Sequence, residues 1–392
     1  MRKLELPEPL REPLDRLESA GSETWLVGCC VRGLVAGDGT RDFECVSLAD
    51  PRQVLDALPS AVVTAPSGGR ATLPTAAGPL DIVAVGATPI EQVLLHRDFT
   101  LHAMAYRPHT EVLCDPHGGL RDLRDGRLAA PGVAKERLAE DPLRALRALR
   151  LVSQHGFEPD AELLAALPEQ AAALHRIGGR RVRVEIEALL LGDHAERALT
   201  LLRSSSLEGA LAAGVRDDAA HVVARLPPDL ELRFAAWLRG ARVRAALRNL
   251  RCPRDRSLRI ERLLQLHPVD VGSSATREAR ARRLLRRDRR QRERLLALRR
   301  AEVEVLDDPE ARRSLARFAR ILEAMDRAQR VAEQRARLCI GGREVMDALG
   351  CGPGAKVGAA LRFLSEQVSE DPTRNDPATL RRLLREWDTP TG

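Results

Sequence analysis

Residues 25–47 read WLVGCCVRGLVAGDGTRDFECVS. The opening WLVG is a short apolar run ended by glycine, CVRGLVA has the composition of a helix bearing one arginine, and RDFECVS is a second strand. On that strand Asp42 and Glu44 are two residues apart, and side chains so spaced project from the same face. Carboxylates side by side repel unless a cation compensates them. Mg2+ does this when held by one or two carboxylates and the phosphates of a substrate. A pair of solvated strand carboxylates is the alternative, and the surrounding residues bear on the choice.

Upstream, Gly28 ends the first strand and opens the helix, whose unpaired N–H groups favour phosphate oxygens, with Arg32 one turn in. Downstream, PLDIVAV sets Asp81 inside an otherwise apolar strand, where an unpaired carboxylate is costly. If that strand lies beside the one next to Asp42, three acids converge. Three carboxylates beside a phosphate-binding turn describe a site for two-metal nucleotidyl transfer.

Working outward, the strand signals TWLVG, RDFECVSL, SAVVT, PLDIVAV and LHAMAY are confined to residues 22–128, each bounded by Gly, Pro or Asp. From about residue 136 the pattern turns helical. EDPLRALRALRLVSQHG places Leu143, Leu146 and Leu149 at helical spacing and closes at Gly156. RRVRVEIEALLLGDHAERALTLLRSSS and DLELRFAAWLRGARVRAALRNLRC continue it, and LCIGGREVMDALGCGPGAKVGAALRFLSEQV reads as helix, Gly-Pro-Gly turn, helix. The fold class is therefore α+β, a small α/β head followed by helices. A chain of 392 residues exceeds the ~250 to 300 that one core supports, so several domains are expected.

Aromatic residues make up 3% of the chain, so the core must be built from Leu, Ala and Val. The seven cysteines, at 29, 30, 45, 114, 252, 339 and 351, are odd in number and form no C-x-x-C pair. That pattern suggests neither a disulfide framework nor a zinc site and predicts reduced thiols in the cytoplasm. No segment reaches ~18 uninterrupted apolar residues, so neither export nor a membrane partner is expected.

The net charge of +7 is unevenly placed. Residues 277–300, REARARRLLRRDRRQRERLLALRR, hold twelve Arg against Glu278, Asp288 and Glu293, so the rest of the chain is slightly acidic. A cationic helix on a near-neutral body suits a polyanion such as RNA, and Arg286, Arg287 and Arg290 are the candidate phosphate contacts. A solvated helix face in an arginine-biased chain is the other reading, since 60 of the 63 basic residues are Arg.

With these motifs in order, the chain resembles the class II tRNA nucleotidyltransferase and poly(A) polymerase family. That family's V-G-G-x-V-R-D and D-x-D are matched by VGCCVRG and DFE, and its R-R-D-F-T-x-N-A-M-A by HRDFTLHAMAY. D-P-x-G-G-x-x-D-L is intact as DPHGGLRDL, and E-D-P-x-R-x-L-R-x-x-R as EDPLRALRALR. The resemblance extends through RRVRVEIEALL and the tail LCIGGREVMDALGCGPGAKVG. It implies a nucleotidyltransferase head, or palm, at residues 1–132, a neck with a nucleotide-recognition helix at 133–200, an RNA-binding body at 201–300 and a helical tail at 301–392. It implies transfer of CMP and AMP from CTP and ATP to the 3′ end of tRNA, with Mg2+ as cofactor. Asp42 and Glu44 would hold the metal, and Asp81 would position or activate the RNA 3′-hydroxyl. Gly28, Cys29 and Arg32 would meet the triphosphate, Arg97 and Asp98 the ribose, and DPHGGLRDL would form a flexible loop that rearranges around the nucleotide.

Base choice can also be argued from chemistry. Asp141 and Arg144 are three apart, hence neighbours on one face of a helix starting near Glu140. A carboxylate accepts from an exocyclic amine and a guanidinium donates to a ring acceptor. Cytosine and adenine share that edge, and uracil and guanine reverse it, so such a pair selects CTP and ATP without a template. Arg147 and Arg150 extend the basic face toward the nucleotide, or else pair with acids of a neighbouring helix.

Six positions depart from the family pattern. Cys29 replaces a Gly, Gly33 an Asp, Glu44 the second Asp, His96 an Arg and His102 an Asn, and Gly86 stands where an Arg is usual. The two histidines read as packing or surface residues. A poly(A) polymerase of the same fold, and an RNA-binding homologue impaired in turnover, are the alternative functions.

Overall fold

The computed structural model describes residues 4–37, 42–65, 69–285, 289–336 and 338–388. Seven strands form one sheet: β1 (Thr24–Val27), β2 (Phe43–Ser47), β3 (Val62–Val63), β4 (Arg70–Thr75), β5 (Gly78–Ala84), β6 (Ala105–Arg107) and β7 (Val112–Cys114). Their order is β3-β4-β5-β2-β1-β6-β7, with β2 and β5 parallel and every other pair antiparallel. The strand alternation separates two apolar layers. Leu26, Phe43, Cys45, Leu80 and Ile82 pack with Leu10, Leu14 and Leu17 of the helix Glu8–Ser19 on one face. Trp25, Val27 and Val46 pack with Ile90 and Leu94 of the helix Ile90–Leu95 on the other.

The α+β class is borne out, with helices following the head from Ala134 onward. The helix Leu143–His155 ends on Gly156 in a left-handed conformation, at the expected stop. Two strands of this sheet, β4 and β7, were not foreseen, nor was the separate pair Arg127–Leu128 and Glu158–Pro159. β4 contains Pro74, a residue type that weakens a strand signal, yet it pairs with Pro79 on β5. Of LHAMAY only Ala105 onward is a strand, because Thr100–His102 forms a 3-10 turn.

Two compact units divide the chain, residues 1–265 and 266–392. The first holds the head and the helices Gly179–Leu191 and Ala195–Ser204 packed on the helix Leu143–His155. Gly192 has Ser153 against it, where a Cβ would stand 2.3 Å from Oγ, and Ser153 Oγ donates to the Leu189 carbonyl at 2.5 Å. The second unit is helical, with the helices Gly342–Leu349, Ala355–Glu370 and Pro377–Asp388 closing on Val345, Leu364, Leu380 and Leu384. The expected turn between the first two is present, opened by Gly350 at φ 60°. Among the described residues no helix is long and apolar enough to cross a membrane.

Candidate nucleotidyl-transfer site

β1 runs out at Val27, and Gly28 turns the chain with φ 78° and ψ −140° into the helix Cys29–Ala36. That conformation needs glycine. Cys29 already belongs to the helix, so the loss of the motif's second glycine leaves the turn intact. Desolvation pushes the Cys29 thiol up, Arg32 opposes the rise, and Glu44 and Asp42 add to it. The thiol thus senses all three charged groups. Gly86, where an arginine was lost from the motif, makes a turn at φ 61° and donates its N–H to the Ala49 carbonyl.

The acids are neighbours by register. Glu44 pairs with Asp81 across β2 and β5, and Asp42 immediately precedes β2. All three share the sheet face of Val46 and Val83. Glu44 is half-buried, and both its oxygens accept from Arg97, at 2.8 Å from Nη1 and 3.1 Å from Nη2. This pair stands over the turn, since a Cβ on Gly28 would lie 3.5 Å from both Arg97 Nη1 and Glu44 Oε2. Asp81 is exposed rather than buried in an apolar strand, because β5 alternates Leu80 inward, Asp81 outward and Ile82 inward. Its expected desolvation is therefore absent, and Thr72 Oγ1 donates to it at 2.6 Å.

The three acids are brought together by strand register, but their side chains are not gathered as a ready ligand set. Among the described residues no group of three or more His, Cys, Asp or Glu side chains is arranged to hold a metal ion. Arg97 draws Glu44 aside and Thr72 holds Asp81. The residues fit Mg2+, which needs one or two carboxylates and takes its other ligands from water and phosphates, better than a cation caged wholly by protein.

Asp98 does not stand open for a ribose. Its Oδ1 accepts from the Phe99 N–H at 3.0 Å and from His102 Nδ1 at 2.9 Å, and Arg147 Nη1 lies 3.6 Å from Oδ2. Burial opposes its ionisation, but His102, Arg147 and the Phe99 N–H outweigh it and hold the carboxyl well below the usual range. His102 in turn meets Arg32, with Nε2 3.1 Å from Nη1. The sequence read His102 as packing or surface. It is buried, and it joins Arg32 of the helix after the Gly28 turn to Asp98. His96, by contrast, is the surface residue expected.

The helix Leu143–His155 carries the chain of charges further. Arg147 Nε is 3.5 Å and Arg150 Nε 2.7 Å from the carboxylate of Glu185, a buried residue on the helix Gly179–Leu191. Of the two readings for these arginines, pairing with a neighbouring helix is the one observed. Glu185 was missed, although an acid in line with Val182, Ile186 and Leu189 is a signal for a buried partner.

Asp141 and Arg144 are not on one helical face. The helix Ala134–Glu140 ends before Asp141, which is extended at φ −142° and ψ 99°, and the next helix starts at Leu143. Pro142 is the cause, since a residue before proline is driven out of the helical region. Asp141 Oδ2 accepts from Arg181 Nη2 at 2.8 Å. Arg144 donates to the carbonyls of Arg137 at 2.7 Å and His96 at 2.8 Å, and to Glu140 at 2.8 Å. DPHGGLRDL, expected as a flexible loop, is a capped turn and helix. Asp115 accepts from the N–H groups of Gly119 and Leu120, and buried Asp122 accepts from Thr100 Oγ1 at 2.6 Å. A Cβ on Gly119 would stand 2.3 Å from the Thr100 carbonyl oxygen.

In the second unit the basic segment spans the helices Ser274–Leu285 and Arg289–Leu306. Arg286 and Arg287 lie outside the described residues, and Arg290 is exposed.

Two family descriptions match the chain. "Poly A polymerase head domain" matches residues 79–129, and "Probable RNA and SrmB- binding site of polymerase A" matches residues 156–211. A CC-adding tRNA nucleotidyltransferase of Shouchella clausii is 38% identical over 189 residues, covering 48% of this chain and 50% of that protein. A CCA-adding enzyme of Leuconostoc mesenteroides is 33% identical over 241 residues, covering 57% and 60%. The chain spans about half the length of the curated relatives it matches. In fold it is similar over 98% of both chains to a Bacillus stearothermophilus CCA-adding enzyme solved with CTP, with TM-score 0.64 at 23% identity. A Thermotoga maritima CCA-adding enzyme complexed with tRNA aligns over 97% of this chain and 95% of its own, with TM-score 0.65 at 18% identity. The resemblance drawn from four motifs is borne out.

Proposed function

We propose that this chain transfers CMP and AMP from CTP and ATP to the 3′ end of tRNA without a nucleic-acid template, adding all or part of CCA. One observation carries the reading: the Gly28 turn opens the helix Cys29–Ala36 directly over the Glu44 and Arg97 side chains, with Asp81 in register on the adjoining strand. The N–H groups of that turn and Arg32 receive the triphosphate. Asp42 and Glu44 hold Mg2+, which when bound supplies charge neutralisation to the phosphates. Asp81, oriented by Thr72, accepts the hydrogen of the RNA 3′-hydroxyl. Arg97 contacts the ribose, and Asp98 supports the site through its hydrogen bond to His102.

Asp141 and Arg144 are the proposed base readers, each now holding a stand-in for the base. The Arg181 N–H takes the place of the exocyclic amine at Asp141, and the His96 carbonyl takes the place of the ring acceptor at Arg144. Cytosine and adenine supply that same donor and acceptor. The head, neck, body and tail at 1–132, 133–200, 201–300 and 301–392 are the proposed division of labour, with RNA held by the body. Seven free thiols fit a reducing cytoplasm.

Transcripts of tRNA ending at the discriminator base, at C and at CC, each given one labelled nucleotide with Mg2+, test the reading. Incorporation of C on the first two or of A on the third supports it, and the pattern separates CC from CCA addition. Absence of C and A incorporation on all three overturns it. The second reading, an RNA-binding homologue impaired in turnover, is favoured by the closed Glu44 to Arg97 pair. It predicts tRNA binding without incorporation.

A further inference from the structure

Arg32 is a long side chain at the mouth of the phosphate turn, and one of its terminal nitrogens is 3.1 Å from Nε2 of buried His102. A guanidinium carries only donors, so Nε2 must accept. The imidazole is then neutral with its proton on Nδ1, which donates to Asp98 Oδ1 at 2.9 Å. We infer that His102 is a positioning residue, held by Asp98 as the Nδ1–H tautomer, that fixes the Arg32 guanidinium at the Gly28 turn and thereby sets this turn's affinity for a triphosphate. The inference rests on the proposed reading of that turn.

The mount is rigid from several sides. His102 closes the 3-10 turn Thr100–His102, whose Thr100 hydroxyl is tied to buried Asp122. The ring of Phe99 meets the imidazole edge-on, with centroids 6.1 Å apart. Asp98 takes the Phe99 N–H on the same oxygen as His102, and the Arg147 guanidinium stands by its second oxygen. A side chain ordered beforehand does not lose that freedom when ligand arrives.

The test uses the full chain and inorganic tripolyphosphate, which offers phosphates without base or RNA. Nitrogen NMR of the wild-type imidazole at neutral pH is expected to show His102 protonated on Nδ1 alone. Asparagine reproduces the Nδ1 contact to Asp98 but is too short to reach Arg32, while the amide of glutamine extends to the place of Nε2. His102→Asn should therefore weaken tripolyphosphate binding about tenfold, and His102→Gln should keep most of it. In nucleotide addition the same loss should fall on KM for the triphosphate, with kcat nearly unchanged. A His102 protonated on Nε2, or equal tripolyphosphate affinity in wild type and His102→Asn, overturns the inference. Failure of the proposed reaction has a separate signature: wild type incorporates nothing into tRNA, yet tripolyphosphate binding still falls in His102→Asn.

Discussion

Glu44 is one methylene longer than the aspartate of the motif, and that methylene lets both its oxygens meet Arg97. The guanidinium supplies the positive charge that a pair of adjacent carboxylates requires. It therefore competes with a divalent cation for Glu44. Glu44→Asp shortens the reach so that at most one of the two hydrogen bonds survives. Binding of Mg2+ in the absence of nucleotide should then tighten about three- to tenfold, a modest change because the pair is part-exposed. Calorimetric titration of both proteins checks this, and equal affinities would show that Arg97 does not compete. The acids themselves were legible from spacing and motif, but their meeting with Arg97 was not. Arg97 and Glu44 are 53 positions apart, and nothing in either local sequence encodes the pair.

The break at Pro142 shows how one residue redirects two others. Leucine spacing predicts a helix through EDPLRALRALR, yet Pro142 breaks it between Glu140 and Leu143 and turns Asp141 toward Arg181. Arg144 is largely buried, with 12% of its side chain exposed, and it satisfies two backbone carbonyls. Arg144→Ala should cost stability as well as selectivity, about 1 to 3 kcal/mol, because those carbonyls lose their donor. Asp141→Ala removes a more exposed pair and should leave stability within about 1 kcal/mol of wild type. Both should lower the preference for CTP and ATP over UTP and GTP. Denaturant unfolding and single-nucleotide incorporation together separate the two effects, and unchanged selectivity in both variants would remove base reading from this break. Strands and helices were legible wherever apolar periodicity was unbroken, as in PLDIVAV and at Leu143, Leu146 and Leu149. What escaped were β4, which holds Pro74, the three-residue β7, and the acid Glu185, whose partners Arg147 and Arg150 lie on another helix.

Across the molecule, charge is organised differently in the two units. In residues 1–265 arginines are largely consumed by networks, such as Arg32, His102, Asp98, Arg147, Glu185 and Arg150. Residues 266–392 contain the twelve-arginine segment, yet its surplus of charge overstates what reaches a polyanion. Arg299 is buried against Asp270 at 2.7 Å and Glu302 at 2.6 Å, Arg292 is 3.1 Å from Asp326, and Arg277 donates to the Gly272 carbonyl at 2.8 Å. Arg282 and Arg283 are exposed on the helix Ser274–Leu285 and are better placed to meet phosphate oxygens. Each phosphate that an arginine neutralises releases counterions, so log K for tRNA falls with log salt in proportion to the number of phosphates met. Reversing Arg282 and Arg283 to Glu should weaken all tRNAs alike and flatten the slope by about one for each phosphate no longer neutralised. It should leave tripolyphosphate binding at the Gly28 turn unchanged. Titrations of tRNA across a salt series check the prediction. An unaltered slope and affinity would mean that this basic face is solvated surface and that RNA is held elsewhere.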